Sequence, residues 1–244
     1  MLTKRTETIG VVVVAAGSSQ RMAGQDKILA PLAGKPVLLH AIEPFLQFPG
    51  VGNIVLVLNQ RNIKPARALL EKAGIADRVT TCLGGKRRQD SVLFGLEHLG
   101  KCDVVIIHDG ARPLLTADLM NRGLEAACET GAAIAAVPVA DTLKLAGPDM
   151  IVALTPPREG FWQAQTPQVF RRDVLEAAFQ YNDQDVTDEA QLVELTGGKV
   201  KLYMGAYDNI KITAPGDLVI ARALLRLRHA EGRNPDSETR NKAQ

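Results

Sequence analysis

Apolar, β-branched runs of strand length recur along the chain, and between them lie stretches of helical period. The runs are "IGVVVV" (9–14), "NIVLVL" (53–58), "RVTTCL" (78–83), "VVIIHD" (104–109) and "AAIAAVPV" (132–139). They are mostly apolar on both sides, the pattern of strands covered on both faces. Helices are predicted over "KPVLLHAIEPFLQF", where Pro44 is expected to introduce a bend, and over "KPARALLEKAG" and "QDSVLFGLEHLG", each ending on glycine. A further helix, "TADLMNRGLEAACETG", opens on Thr116 as N-cap and closes on Gly131. Strand–helix alternation of this kind specifies an α/β fold: a Rossmann-like, mostly parallel sheet with helices on both faces. With 244 residues, 46% of them hydrophobic, the chain can bury one large core.

Residues 140–168 break the rhythm. The segment "ADTLKLAGPDMIVALTPPREGFWQAQTPQ" carries four prolines and two short β-like runs around the turn "GPD". It reads as a hairpin that leaves the main sheet, with apolar faces that require a partner. Beyond it, "RRDVLEAAFQ" and "TDEAQLVELTGG" read as helices, "KVKLYMG" and "YDNIKIT" as strands, and "PGDLVIARALLRLRHAE" as a long helix. Residues 1–230 are expected to form a single domain with a hairpin arm at about 140–165, and the polar end, 231–244, a disordered tail.

Several function classes fall away. Lys plus Arg number 29 and Asp plus Glu 27, a formal charge of +2, so no global field attracts nucleic acid or an anionic membrane. Aromatic residues, on which single-stranded bases stack, are only 4% of the chain. Neither nucleic acid nor membrane is expected as a partner. Cys82, Cys102 and Cys128 form no C-x-x-C pair, and "MLTKRTET" is too short and polar for a signal peptide. No apolar run reaches the roughly 18 residues of a membrane helix. A cytoplasmic protein with reduced thiols is expected. His40, His98, His108 and His229 lack zinc-site spacing, and no G-x-S-x-G elbow occurs. A dehydrogenase is disfavoured, because G-x-G-x-x-G is missing and Asn59 stands where an acid would bind the ribose.

In open parallel sheets, ligands bind outside the carboxyl ends of the strands. That rule gathers three loops: "AAGSSQRMAGQDK", "GGKRRQDS" and "HDGARP". In the first, Gly17 lets backbone N–H groups approach an anion, and Arg21 and Lys27 add full charges. Alone, that loop also fits a tight turn with solvated cations. The second, with Lys86, Arg87, Arg88 and Ser91, fits contacts to a base edge or ribose, or else a charged surface turn. In the third, Asp109 ends an apolar strand, where it can hold Mg2+ or another divalent cation between phosphate oxygens, and Arg112 can grip a phosphate. The plainer alternative is an Asp that caps the following turn. In "YDNIKIT", strand alternation turns Lys211 away from Ile210 and Ile212; an edge-strand lysine that discourages aggregation is the bland reading.

Taken in order, "AAGSSQRM…DK", "GGKRRQDSV", "HDGARP", "DTLK", "QTPQVF", "TDEA" and "DNIKIT" resemble the 2-C-methyl-D-erythritol 4-phosphate cytidylyltransferases of non-mevalonate isoprenoid biosynthesis, over residues 9 to 228. The resemblance implies that Ala15, Ala16 and Gly17 wrap the CTP phosphates and ribose, with Arg21 and Lys27 on the triphosphate. It implies Gly85, Arg88 and Ser91 at the cytosine and ribose end, and Mg2+ on Asp109. Arg112, Thr142, Arg158, Thr166 and Lys211 would surround the methylerythritol phosphate, Thr142 and Arg158 serving a neighbouring subunit through an arm swapped across a homodimer. The chain departs from the family pattern at Val14, commonly proline, at Ser19, commonly glycine, and at Lys86, often acidic.

The implied reaction joins CTP and an alcohol phosphate, giving a CDP-alcohol and pyrophosphate. Its nucleophile is a phosphate oxygen that is largely ionised above about pH 6, so no general base is required. Catalysis is then positioning and electrostatics, assigned here to Arg21, Lys27 and Lys211. A cytidylyltransferase for another polyol phosphate, such as ribitol 5-phosphate, is the nearest alternative. A nucleotide-binding regulator without turnover is the alternative from another class. A fused cyclodiphosphate synthase domain is not expected, since no domain-sized stretch follows residue 228.

Overall fold

The computed structural model describes residues 7–18, 22, 26–181 and 184–231. In chain order the elements are β1 (Ile9–Ala15), β2 (Pro31–Leu32), β3 (Lys35–Pro36), α1 (Val37–Gln47), β4 (Val51–Leu58), α2 (Ile63–Lys72), β5 (Val79–Leu83), α3 (Arg88–His98), β6 (Val104–Asp109) and α4 (Ala117–Thr130). There follow β7 (Ala132–Pro138), β8 (Leu145–Ala146), β9 (Val152–Leu154), β10 (Trp162–Arg171), α5 (Arg172–Tyr181), α6 (Glu189–Leu195), β11 (Lys201–Met204) and α7 (Pro215–Glu231). The expected tail lies, from residue 232 on, outside the described residues.

Seven strands form one sheet in the order β11-β7-β10-β6-β1-β4-β5. All neighbours pair in parallel except β10, which is antiparallel to both β6 and β7. The period of two explains why the strands read as continuously apolar. Val11 and Val13 of β1, with Leu56 and Ile106, pack beneath α1 and α4, whereas Val12, Val55, Val57 and Ile107 pack against α3 and α5. α3 comes unusually close to the sheet because residue 95 is glycine; a Cβ there would lie 2.5 Å from Val12 Cγ1. A third cluster, including Leu32, Leu114, Ile212 and Leu225, seats α7.

The cap signals hold where they were strongest. Thr116 Oγ1 accepts the Leu119 N–H at 3.2 Å, and Gly131 closes α4 at φ +81°. α1 continues through Pro44 as far as Gln47.

Two expectations are corrected. The hairpin is present as β8 and β9, antiparallel around residues 147–151, but it does not extend to 168. From Trp162 the chain is already back in the middle of the main sheet as β10. Gln165, Thr166 and Gln168 are buried there, so a fully internal strand carries no apolar alternation. The segment 207–213 is not a strand. Its main chain is held instead by Arg112 Nη1 on Asn209 O at 2.6 Å, by a turn bond from Asn209 N to Ala206 O at 3.0 Å and by a bond from Ile212 N to Ala111 O at 2.8 Å.

Candidate active site

A cavity of about 200 Å3 opens at the carboxyl ends of β1 and β6 and the loop after β5. Its wall includes Ala15, Ala16, Gly17 and Lys27 from the first loop, Gly85, Lys86, Arg88 and Ser91 from the second, and Asp109 and Lys211. A larger groove of about 840 Å3 runs between α1, α4 and α7. Its Glu43 and Arg228 are paired outward with Lys35 and Asp208, and it gathers no converging charge.

Asp109 is the centre of the smaller cavity. Three cations meet its carboxylate, two from distant parts of the chain and one from the following turn: Lys211 Nζ at 2.7 Å, Arg88 Nη2 at 3.5 Å and Arg112 Nε at 3.7 Å. Burial disfavours the Asp109 charge, but Arg88, Lys211 and Arg112 outweigh it and hold the carboxyl far below the usual carboxylate range. The last distance is an ion pair rather than a hydrogen bond, and the buried Arg112 Nε makes no hydrogen bond.

The backbone beneath is fixed by buried polar groups. The Asp109 N–H donates to Thr166 Oγ1 at 3.0 Å, and Thr166 Oγ1 lies 3.0 Å from His108 Nδ1. His108 Nε2 is 3.0 Å from the Arg112 carbonyl, which only accepts, so Nε2 carries the proton and Nδ1 accepts the threonine O–H. Burial pushes His108 down to about 4, which keeps this tautomer neutral.

The first loop is tied from the end of β4. Asn62 Nδ2 donates to Ala15 O at 3.1 Å and Asn59 Nδ2 to Ala16 O at 3.2 Å. Asn59, noted in the sequence only as a missing acid, and Asn62, which sequence reasoning passed over, thus shape the phosphate-sized end. Lys27 overhangs Gly17, where a Cβ would sit 3.7 Å from its Nζ. In the second loop Ser91 Oγ accepts the Gly85 N–H at 3.1 Å and donates to Arg87 O at 3.2 Å. Gly84 lets this turn approach the first, since a Cβ would lie 2.6 Å from that of Ala16.

Of the residues picked out in the sequence, Ala15, Ala16, Gly17, Lys27, Gly85, Arg88, Ser91, Asp109 and Lys211 line the cavity, and Arg112 and Thr166 contact Asp109. Lys211 arrives from an irregular segment rather than a strand. Arg88 reaches Asp109, its Nη2 lying 3.5 Å from the carboxylate. Thr142 and Arg158 do not line this cavity; both are exposed, and Arg158 donates to the Ala140 carbonyl. Arg21 and Ser19 lie outside the described residues.

Among the described residues no three His, Cys, Asp or Glu side chains are grouped to cage a metal. One hard carboxylate oxygen donor at a phosphate-sized cavity does fit Mg2+, which takes most of its ligands from phosphates and water.

Comparison with known proteins identifies the chain's relatives. The family model "2-C-methyl-D-erythritol 4-phosphate cytidylyltransferase" matches residues 9–227. A protein of that name from Dehalococcoides mccartyi is 49% identical over 220 residues, covering 90% of this chain and 97% of the relative. The solved 4-diphosphocytidyl-2C-methyl-D-erythritol synthase of Anaerococcus prevotii superposes with a TM-score of 0.77 at 29% identity, over 91% of this chain and 97% of that one. The 2-C-methyl-D-erythritol 4-phosphate cytidylyltransferase of Thermus thermophilus gives a TM-score of 0.75 at 32% identity, over 90% and 99%.

Proposed function

The chain belongs to the 2-C-methyl-D-erythritol 4-phosphate cytidylyltransferase family, and on that premise we propose that the Asp109 cavity is where it works. The enzyme is a nucleotidyltransferase: it transfers CMP from CTP to 2-C-methyl-D-erythritol 4-phosphate, giving 4-diphosphocytidyl-2-C-methyl-D-erythritol and pyrophosphate for isoprenoid biosynthesis. The observation that carries the site assignment is the convergence of Lys211, Arg88 and Arg112 on one buried carboxylate beside Lys27.

The barrier is to bring two polyanions together and to stabilise charge at the α-phosphate. The attacking phosphate oxygen is already ionised, and among the described residues no side chain here is poised as a base. Asp109 is held ionised, and the neutral His108 spends both ring nitrogens on internal bonds. Three cations around one carboxylate leave a surplus of positive charge for incoming phosphates. Lys27 and Arg21 are assigned to the triphosphate and Lys211 to the transferring phosphate. Ala15, Ala16 and Gly17 offer backbone to the nucleotide, with Gly85, Arg88 and Ser91 behind it. Arg112 and Thr166 belong to the acceptor side. Asp109 would hold a divalent cation, taken as Mg2+, whose charge would offset that of the phosphate oxygens.

Residues 1–230 are assigned to one catalytic domain, and the arm, which ends before β10 at about 161, to dimer formation. Leu145, Met150, Ile151, Val152 and Leu154 of the arm are exposed, which supports an apolar face that a second copy covers. Thr142 and Arg158, on that arm and away from the cavity of their own chain, are assigned to the neighbour's site. No helix among the described residues is long and apolar enough to cross a membrane. With Cys82, Cys102 and Cys128 unpaired, the enzyme is assigned to the cytoplasm.

Purified protein mixed with CTP, Mg2+ and 2-C-methyl-D-erythritol 4-phosphate is expected to release pyrophosphate and form the CDP adduct. Ribitol 5-phosphate is expected to give far less. No adduct with the first acceptor, or equal turnover with both, would defeat the assignment.

A further inference from the structure

Glu189, the first residue of α6, has no exposed surface, and nothing in the reaction as described above uses it. A fully buried carboxylate is retained only with a partner that compensates its lost hydration. That partner is Arg88, 101 residues earlier, whose Nη1 donates to Glu189 Oε2. The pair is asymmetric. Glu189 Oε1 is buried without a hydrogen bond, whereas the Arg88 side chain keeps some exposed surface and its Nη2 faces Asp109 across 3.5 Å. An ion pair serving stability alone has no reason to leave one buried oxygen orphaned while aiming its cation into a cavity.

The surroundings fix the same geometry. Gln89, the next residue of α3, is buried; its Nε2 donates to Gln184 O at 2.9 Å and its Oε1 accepts the Val186 N–H at 3.0 Å. Ala190, Leu192 and Val193 anchor α6 in the core. The entry of α6 is therefore stapled to the first turn of α3, and Glu189 sits where Arg88 must meet it. Burial works against the Arg88 charge, but Glu189 and Asp109 more than offset it and hold the guanidinium above its ordinary value.

We propose that Glu189 is a positioning residue for the transfer, fixing the Arg88 guanidinium at the Asp109 end of the cavity so that it meets the triphosphate of CTP already oriented. This rests on the cavity being the CTP site. A free arginine would lose rotamer entropy on binding a phosphate; one anchored through its far nitrogen has lost it during folding.

The test is CTP affinity by calorimetry, together with the KM for each substrate, in Glu189→Asp, Glu189→Gln, Arg88→Met and Arg88→Met/Glu189→Met. Positioning predicts that Glu189→Asp, which keeps the charge but draws Arg88 back by one methylene, weakens CTP about tenfold, the scale of one charge-assisted hydrogen bond. The KM for the methylerythritol phosphate is expected to stay within about twofold, since the change is confined to the nucleotide side. The double variant should match Arg88→Met in CTP affinity while recovering melting temperature, because an apolar pair can replace a buried ion pair. A role in folding alone would lower the melting temperature and leave both KM values unchanged. That result in Glu189→Asp, or a further loss of CTP affinity when Glu189→Met is added to Arg88→Met, overturns the proposal. Lys27→Ala separates the two readings. If it also leaves CTP affinity and turnover intact, the cavity assignment fails; if it impairs them while Glu189→Asp does not, only the role of Glu189 fails. Should Glu189→Gln not fold, Glu189→Asp and the double variant decide the matter.

Discussion

The rim above β1 and β6 and the arm formed by β8 and β9 are held in opposite ways. At the rim three groups are fastened from far along the chain: the Arg88 side chain by Glu189, the Arg112 side chain by the Asn209 carbonyl and the Asp109 amide by Thr166. The arm has a two-stranded ladder, the turn bond from Gly147 N to Ile151 O and a Lys144–Thr155 hydrogen bond, while its large apolar residues face outward. Two strands alone are marginal in water. The rim is thus preorganised by its own chain, whereas the arm leaves its large apolar residues uncovered.

The difference predicts where substitutions act on chemistry and where on assembly. The largest effect belongs to the rim. Lys27→Ala and Lys211→Ala are each expected to lower turnover by about 10²–10³, the usual cost of one preorganised donor to developing charge. Circular dichroism should stay near that of the parent in both, and melting temperature should fall only in Lys211→Ala, which takes the nearest counter-ion from the buried Asp109. Near-normal turnover in both variants would mean that the clustered charge is not the catalytic device.

A second test asks whether the rim is as rigid as its bonds imply. His108 is buried among Asp109, Arg112 and Lys211 and titrates at about 4 instead of 6.5. Between those values the unfolded chain takes up a proton that the folded one refuses. Stability contributed by His108 is therefore whole above about pH 6.5 and declines as pH falls toward 4, by on the order of 3 kcal/mol. The Asp109 contribution, held low by its cations, is lost only at more acid pH. Denaturant midpoints measured from pH 7 to 4 should fall in the parent and flatten over that window in His108→Gln. Parallel curves would show that His108 takes up protons freely and that the bonds beneath Asp109 yield.

Those buried bonds also mark the limit of what the sequence discloses. β1, β4 and β6 are legible because helices cover both faces, so nearly every residue is apolar. Asp109 is legible because a carboxylate ending such a run has few structural uses. β10 is hidden, since Gln165, Thr166 and Gln168 are polar, and Gln165 and Thr166 are accommodated inside by partners such as the Ala206 carbonyl and the Asp109 amide. The segment 207–213 has strand-like alternation, yet side chains and isolated backbone bonds hold it in place of a ladder. Glu189 follows Asp188 at a helix start, where an exposed acid is commonplace; burial alone distinguishes it, and burial is a property of the whole fold.

The smallest effect, and the sharpest test of the comparison, lies in the arm. Arg158→Ala removes a cation that does not line its own chain's cavity, so a monomeric site predicts no change in acceptor binding. If the arm completes a neighbour's site, the variant should raise the KM for the methylerythritol phosphate about tenfold, one charge-assisted contact, and leave CTP affinity alone. Mixing then decides between the two. Subunits carrying Lys27→Ala have a damaged rim and a sound arm; those carrying Arg158→Ala have the reverse. In a two-fold assembly that exchanges arms, one site of each mixed dimer receives both lesions and the other receives neither. Turnover should therefore return when the two inactive or impaired preparations are unfolded together and refolded, and it should not return if each arm serves its own chain. Ile151→Glu in both preparations, a charge placed on the exposed apolar face, should abolish that recovery and shift the sedimentation coefficient to that of a monomer. Recovery that survives Ile151→Glu would mean that subunits meet through some other face, and the contrast between a finished rim and an unfinished arm would have to be redrawn.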